Sequence, residues 1–244
     1  MKKTLLIFTA LASMISVSCS NNDQNKEGTT DSTQVATTEN GIPQGSRYGI
    51  KSGIVTYAPY EMMGIKVTQT TYFDDYGKKE AQEILSEGEM MGIKTKSHSM
   101  NILADGYSIS YELENTVNGK DNAKKVAKKM KVTGNPFGSL DLSSFTEEVK
   151  KNYDYKEEGT ETVAGVEGTK FSMTLNKDKA DSRITGVLYK NIMLKSEMKM
   201  ANMKISLLAS KFEQNATIPA EKFGIPAGYT VEEVNMNAPI GSPN

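Results

Sequence analysis

The chain has 244 residues, of which 37% are hydrophobic, 24% charged and 7% aromatic, a composition typical of a globular protein rather than a disordered or polytopic membrane protein. Its 29 Lys and Arg residues balance 30 Asp and Glu residues, so no general electrostatic attraction to nucleic acid is expected. One cysteine, one histidine and no tryptophan exclude a two-cysteine redox pair, a zinc-finger cluster and a multi-histidine metal centre, and we expect neither metal nor cofactor.

The N-terminus has the layout of a secretory signal peptide. Lys2 and Lys3 precede an apolar stretch at 5–15, which is shorter than the about 20 residues of a membrane span. Small residues then lead to Cys19. The pattern resembles a bacterial lipoprotein signal, which implies that residues 1–18 are removed and that Cys19 becomes the lipid anchor. A plain secretory peptide with an incidental cysteine is the alternative.

The lipoprotein resemblance also implies a location in the bacterial cell envelope. In a Gram-negative host, Ser20 after the cysteine favours the outer membrane, because an Asp at this position would favour inner-membrane retention. The membrane, reached through the lipid anchor, is therefore the first expected partner.

Residues 19–47 are polar, and their aliphatic residues are limited to Val35, Ala36 and Ile42. Such a segment buries too little apolar surface to offset the entropy lost on ordering. We predict a disordered tether with an r.m.s. span of roughly 30 Å.

From residue 48 onward, short runs rich in Ile, Val, Thr, Tyr and Met alternate with turn residues about every ten positions, which is typical of antiparallel strands. Asp105-Gly106 between two such runs indicates a hairpin turn. Strands are predicted at 50–60, 65–73, 78–85, 93–104 and 107–113, and then at 159–164, 168–176, 183–190, 193–200, 203–213 and 230–234.

Two helices are predicted between these groups of strands. Apolar residues recur at helical spacing over 123–130, and a second helix begins near Ser144, with Glu147 in the capping-box position. The order excludes a doubly wound α/β fold, which alternates strand and helix. The predicted fold is mainly β (α+β), an incomplete antiparallel β-barrel of about 10–11 strands over 48–236, with two central helices as a lid on its concave face. Residues 237–244 are predicted to be a flexible tail.

A methionine-rich motif recurs at the ends of predicted strands. The sequence EMMGIK at 61–66 is repeated at 89–94, and KMANMK at 199–204 resembles it. One interpretation is hairpin chemistry, since Gly or Asn supplies the turn. The other is an adaptable apolar rim for a lipid-like guest, because methionine is flexible and polarisable. On that interpretation the candidate ligand-binding residues are Met62, Met63, Met90, Met91, Met200 and Met203, with Val126 and Met130 of the first predicted helix.

The same predicted helix carries a run of lysines whose spacing of four aligns them along its surface. They are either a solvated outer face or a basic lid that contacts anionic headgroups. The candidate membrane-contact residues are Lys124, Lys125, Lys128 and Lys129.

The C-terminal sequence IPAEKFGIPAGY at 218–229 follows a long predicted strand. Together with the lipoprotein signal, the strand order and the segments 188–194 and 197–203, it resembles LolA/LolB-like periplasmic proteins, and is nearest to their poorly characterised outer-membrane lipoprotein relatives. The resemblance implies a half-barrel whose hollow face holds acyl chains or another hydrophobic guest.

No catalytic residue is predicted. His98 lies among Lys and Ser residues on a predicted strand, without a nucleophile or an orienting group nearby in sequence. We therefore expect a non-enzymatic envelope lipoprotein that binds a lipid or the acyl chain of a lipoprotein in a half-barrel cavity. The alternative is a non-catalytic interaction or structural module of an envelope complex with a filled core.

Overall fold

The computed structural model describes residues 41–62, 64–132, 147–174, 183–200 and 203–234, without the side chains of 147–149, 199, 200, 203 and 204. These residues belong to a single unit, Val35–Asn244. The predicted signal peptide, Cys19, most of the tether, Met63 and the C-terminal tail lie outside the described residues.

The described chain is mostly β-strand, as expected from its β-branched and aromatic runs. The strands of the first half are β1 Gly53–Tyr57, β2 Tyr60–Met62, β3 Ile65–Asp74, β4 Lys79–Met90, β5 Ile93–Ala104, β6 Tyr107–Val117, β7 Lys120–Asp121 and β8 Val126–Lys131. After the short helix α1, Glu147–Asn152, come β9 Lys156–Val163, β10 Val166–Thr174, β11 Arg183–Tyr189, β12 Ile192–Met200, β13 Met203–Gln214 and β14 Thr230–Glu233.

All these strands belong to one sheet with the order β14-β8-β6-β5-β4-β3-β1-β13-β12-β11-β10-β9, while β2 pairs with β3 and β7 pairs with β6. Consecutive strands mostly form antiparallel hairpins. Two pairings join strands that are far apart in the chain: β1 pairs with β13 and so joins the two halves, and β14 lies parallel to β8. Within the described residues β9 and β14 are the two ends of the sheet, so the barrel-like fold is open.

The prediction of a helix over 123–130 is wrong, because this segment forms β8 and its approach. Ala127 pairs with Tyr111 of β6 and is fully buried, while Lys128 on the other face is exposed. A short apolar run is compatible with both the helical and the strand period. Pairing with β6 makes this segment a strand. The lysines suit a strand near the sheet's end, where charges discourage edge-to-edge association.

The second predicted helix is present only as the six residues of α1, and its predicted start near Ser144 lies outside the described residues. A lid of two central helices is therefore not found in the described part of the chain, and this part of the predicted fold is corrected. The antiparallel, barrel-like sheet itself is confirmed.

The sheet carries an apolar core on each face. Along β3, Phe73 is buried in one core and the preceding Tyr72 packs against the other, because successive side chains point to opposite faces. The first core also contains the fully buried Val55 and Leu194. The second contains the buried residues Ala81, Met100, Ile102, Ala104, Ile109, Tyr111 and Ala127.

The C-terminal segment covers the second core. After β13, the chain forms a 3-10 turn at Ala220–Phe223 and returns to β14. Tyr229 donates a hydrogen bond to the backbone oxygen of Glu112 at 2.6 Å, and Tyr111 donates one to that of Gly224 at 3.1 Å. These bonds fix the apolar side chains of the segment against the sheet.

An ionic cluster fastens the same segment to β4. Lys222 Nζ and the Tyr72 hydroxyl each donate to Glu83 Oε2 at 2.8 Å, and His98 Nε2 lies 2.8 Å from Glu83 Oε1. Partial burial by itself would raise the pKa of Glu83, but the hydrogen bonds from Lys222, Tyr72 and His98 outweigh it and lower that pKa from 4.5 to about 2. The folded state therefore favours the ionised carboxylate.

We predict that Lys222→Gln lowers the free energy of unfolding by roughly 1–2 kcal/mol near neutral pH, since hydrogen bonds to charged groups contribute about this much and the cluster is partly exposed. Because the folded pKa of Glu83 is depressed, its contribution is present above pH 4.5 and is lost as the pH falls toward about 2. The difference between wild type and variant should shrink over this window. Urea unfolding at several pH values measures it.

The matched control is Lys211→Gln, which removes an ion pair whose side chains are 64% and 43% exposed. It should change the free energy of unfolding by less than about 0.5 kcal/mol. A Lys222→Gln effect that is independent of pH would contradict the assignment to Glu83.

Candidate ligand-binding cavity

A cavity of about 280 Å³ lies against one face of the sheet. Both β4 and β10 line it, although they are six strands apart in the sheet order. In a flat sheet this separation would be about 29 Å, at about 4.8 Å per strand. The sheet therefore curves around the cavity and brings its two halves face to face.

The cavity wall is mainly apolar. Its lining draws on the first core, through residues such as Val55 and Phe73, and on a smaller cluster of Phe171, Met173 and Ile184, each 1% exposed. The further apolar lining residues are Tyr57, Leu188, Ile192, Met193, Met198, Ile205 and Leu207. The volume is at the lower end of the about 300–1,000 Å³ typical of small-molecule sites.

Gly186 shapes one side of this wall. A Cβ at this position would clash with the backbone oxygen of Lys195 and would lie 2.7 Å from the ring of its cross-strand partner Phe171. The missing side chain therefore lets the Phe171 ring pack over β11. On its other side, Phe171 stacks on Tyr155 at a centroid distance of 5.7 Å.

One part of the cavity wall is polar. The Glu80 carboxylate is 3% exposed, and its Oε2 accepts a short hydrogen bond from the Tyr48 hydroxyl. Arg47 Nη1 lies 3.2 Å from the same Oε2, and Gln82 Nε2 donates to Oε1 at 3.0 Å. Arg47 Nη2 donates to the Tyr48 hydroxyl at 2.9 Å, and Nη1 also donates to the backbone oxygen of Gly77 at 3.4 Å. Arg47, placed in the tether by sequence, thus belongs to the cavity wall.

Two tyrosines in the wall stay protonated. Burial raises the pKa of Tyr48 well above its ordinary value of 10, and the nearby Glu80 raises it further. Burial likewise raises the pKa of Tyr57, whose hydroxyl donates to the backbone oxygen of Met193 at 2.7 Å. Both hydroxyls act as hydrogen-bond donors within the protein.

The methionines proposed from the repeated motif lie elsewhere. Met62, Met90 and Met91 are 36%, 48% and 96% exposed and do not line the cavity. Ile65 of β3 pairs with Gly88 of β4, so the β2–β3 and β4–β5 turns lie at the same end of the sheet. Met200 pairs with Met203 at the β12–β13 turn, but their side chains, like Met63, are outside the described residues. Whether these methionines contact a ligand stays a prediction.

Val126 and Met130 also lie outside the cavity lining. Val126, Lys124 and Lys128 border a separate polar groove of about 530 Å³, together with Glu112 and Glu232 among others.

The four lysines do not form one basic helical face, because they follow an extended chain. Lys128 and Lys129 are consecutive on β8 and point to opposite faces of the sheet. Lys129 Nζ lies 3.9 Å from the centre of the Tyr107 ring, whereas Lys124 and Lys125 are exposed. Their contact with a membrane stays a prediction.

Sequence reasoning missed the polar wall. Arg47, Glu80 and Gln82 carry no motif, and charged residues on a strand are ordinarily expected to be exposed. The methionines that do line the cavity, Met193 and Met198, fall within the predicted strand 193–200. They are five residues apart, so alternation alone would place them on opposite faces. A register shift in the pairing of β11 with β12, between Val187 and Leu188, interrupts this alternation.

Among the described residues, no group of three or more His, Cys, Asp or Glu side chains is arranged to hold a metal ion. No helix in this part of the chain is long and apolar enough to span a bilayer.

No protein-family model and no curated protein matches this chain. Similar solved structures include an uncharacterised conserved protein from Thermus thermophilus, with 9% identity and a TM-score of 0.48 over 75% of this chain and 91% of that one. A β-barrel-like protein of domain of unknown function DUF1849 from Brucella abortus has 9% identity and a TM-score of 0.40, over 69% of this chain and 100% of that one. Both are too distant to assign an activity, so the function is inferred from the cavity.

We predict that Gly186→Ala destabilises the fold by about 1–3 kcal/mol, the usual cost of overpacking, because the new methyl group collides with β12 and the Phe171 ring. Thermal or urea unfolding measures the change. Gly224→Ala is the matched control, since its Cβ would meet nothing closer than 3.8 Å and its φ is −119°. Equal stability of the two variants would show that Gly186 does not shape the wall.

Proposed function

We propose that the protein is a membrane-tethered binding protein of the bacterial envelope that holds a small hydrophobic ligand, a lipid or the acyl chain of a lipoprotein, in the cavity between its two half-sheets. The observation that supports this proposal is a mainly apolar cavity of about 280 Å³ framed by strands of the curved sheet. Small-molecule sites are typically preformed, mostly apolar and provided with a few polar groups, as this cavity is.

The size of the cavity limits what can enter. At about 280 Å³ it suits one chain or one small ring system rather than a complete two-chain lipid. A two-chain lipid or a lipoprotein could therefore insert only part of one chain.

The cavity chemistry favours binding over catalysis. Its described titratable side chains include Arg47, Tyr48, Tyr57 and Glu80, and each takes part in hydrogen bonds within the protein. Nucleophilic catalysis needs a nucleophile beside a base that a third group orients. A buried network of an arginine, a tyrosine and a carboxylate is better suited to fixing the shape of the wall.

The proposed function includes membrane anchoring through Cys19 in the tether. A lipid on this cysteine would keep the binding domain within reach of the membrane that supplies or receives its ligand. The chain enters the domain near the Asp74–Gly77 turn, since Tyr48 N donates to the backbone oxygen of Tyr76 at 3.0 Å.

An interaction module is the second candidate. It is supported by the exposed apolar residues Met62, Met90, Met91 and Ile93 at one end of the sheet, because grouped exposed apolar side chains mark contact surfaces. This candidate does not require that the cavity bind anything.

We predict that the mature chain, residues 19–244 with Cys19→Ser, binds the neutral apolar probe N-phenyl-1-naphthylamine with a rise in fluorescence. Ser196 lines the cavity on β12, so Ser196→Leu should fill part of it and weaken probe binding by about tenfold or more. A fluorescence titration measures both affinities.

Ser206→Leu is the matched control, because Ser206 lies on β13 between the cavity-lining residues Ile205 and Leu207 but does not itself line the cavity. It should bind the probe like the parent chain. Failure of the parent chain to bind probe or lipid would overturn the binding proposal and favour the interaction module.

We predict that the full-length chain, expressed in a Gram-negative host, incorporates labelled palmitate and fractionates with membranes. Cys19→Ser should abolish labelling and move the protein to the soluble fraction. A Cys19→Ser protein that remains with the membranes after a salt wash would contradict anchoring through Cys19.

A further inference from the structure

The charge balance of the cavity wall bears on which ligands can enter. The charged side chains that line the cavity in the described chain are Arg47 and Glu80, and they pair with each other at 3.2 Å. The Glu80 side chain is 3% exposed and that of Arg47 is 17% exposed. The wall formed by the described residues thus contains one cation and one anion in direct contact, and the net charge of this part is zero.

Both members of the pair are already hydrogen-bonded by the protein. Glu80 accepts bonds from Tyr48, Arg47 and Gln82. Arg47 donates to Tyr48 and to the backbone oxygen of Gly77 as well. An anionic ligand group that replaced Glu80 at the Arg47 guanidinium would leave that carboxylate buried without its cation. An unpaired buried charge is far more costly than an unpaired neutral group.

A neutral polar group meets no such penalty. Neutral side chains that can donate or accept a hydrogen bond, among them Gln69, Thr71 and Ser196, also line the cavity. A hydroxyl, ester or amide group of a ligand can pair with them while its chain contacts the apolar wall.

We propose that the Arg47–Glu80 pair makes the cavity selective for uncharged single-chain ligands, with Glu80 as the residue that excludes carboxylates and Arg47 as the residue that excludes ammonium groups. This inference rests on the proposed binding function. It assigns the ligand to the class of long-chain alcohols, esters and amides rather than free fatty acids or alkylamines.

The test is displacement of N-phenyl-1-naphthylamine from the mature chain, residues 19–244 with Cys19→Ser, by octan-1-ol, octanoate and octylammonium at about pH 8, where the carboxylic acid is ionised. The three ligands share one chain length and differ in head-group charge. Octan-1-ol should bind at least about tenfold more tightly than either ion. Octanoate or octylammonium binding as tightly as the alcohol would overturn the proposal.

Two variants should change the head-group selectivity in opposite directions, one toward the anion and the other toward the cation. Glu80→Gln removes the carboxylate that faces Arg47 in the cavity wall, so the affinity for octanoate should rise by about tenfold while that for octan-1-ol changes less than about twofold. Arg47→Gln leaves Glu80 without its cation and should instead favour octylammonium. Each variant is checked for folding by urea unfolding, and either one, if folded, decides the assignment.

Glu87→Gln is the matched control, because Glu87 is an exposed residue of β4 that does not line the cavity. It should leave all three affinities unchanged. If the parent chain binds the probe but the folded Glu80→Gln variant does not gain affinity for octanoate, the selectivity proposal fails and the binding function stands. If no ligand and no probe binds the parent chain, both fail.

Discussion

The pairing of β1 with β13 is the constraint on which the rest of the structure depends. Gly53, the first residue of β1, pairs with Gln214, more than 150 residues later, and the residues Gly53 to Thr56 also pair with β3. This short strand hydrogen-bonds to β3 on one side and to β13 on the other, and so links the two sets of hairpins within one sheet. Val55 and Tyr57 of the same strand line the cavity, so the strand that joins the halves also forms the floor between them.

Much of the fold could be predicted because its strands follow local rules. Alternation and turn residues locate most of the strands, and Asp105-Gly106 forms the expected hairpin, with Asp105 at φ 53° and Gly106 at φ 78°. The error at 123–130 has a tertiary cause. Ala127 is buried because β6 and the C-terminal segment lie against it, and neither neighbour is visible in the local spacing of apolar residues.

The candidate site was less accessible to sequence reasoning. The methionine motif draws attention because it repeats, yet its described members lie at exposed turns. The cavity instead depends on side chains whose role is set by contacts with residues far away in the sequence. Glu80 would pass for a solvated strand residue, and only its contacts with Arg47 and Tyr48, more than 30 positions earlier, identify it as a buried charge.

Because an apolar core lies on each face of the sheet, β3 and β4 tolerate little change in their register. Tyr72 and Phe73, like Glu80 and Ala81, are consecutive residues that serve opposite faces of the sheet. In a sheet with one solvated face, a slip by one residue exposes one apolar surface. Here a slip of one residue would move side chains between the two cores, placing Glu80 beneath the C-terminal segment and Ala81 in the cavity. The turn at Asp74–Gly77 is held by hydrogen bonds between Tyr76 and the segment that precedes β1. It therefore fixes the register of β3 against β4, and this one register aligns the side chains on both faces of the sheet.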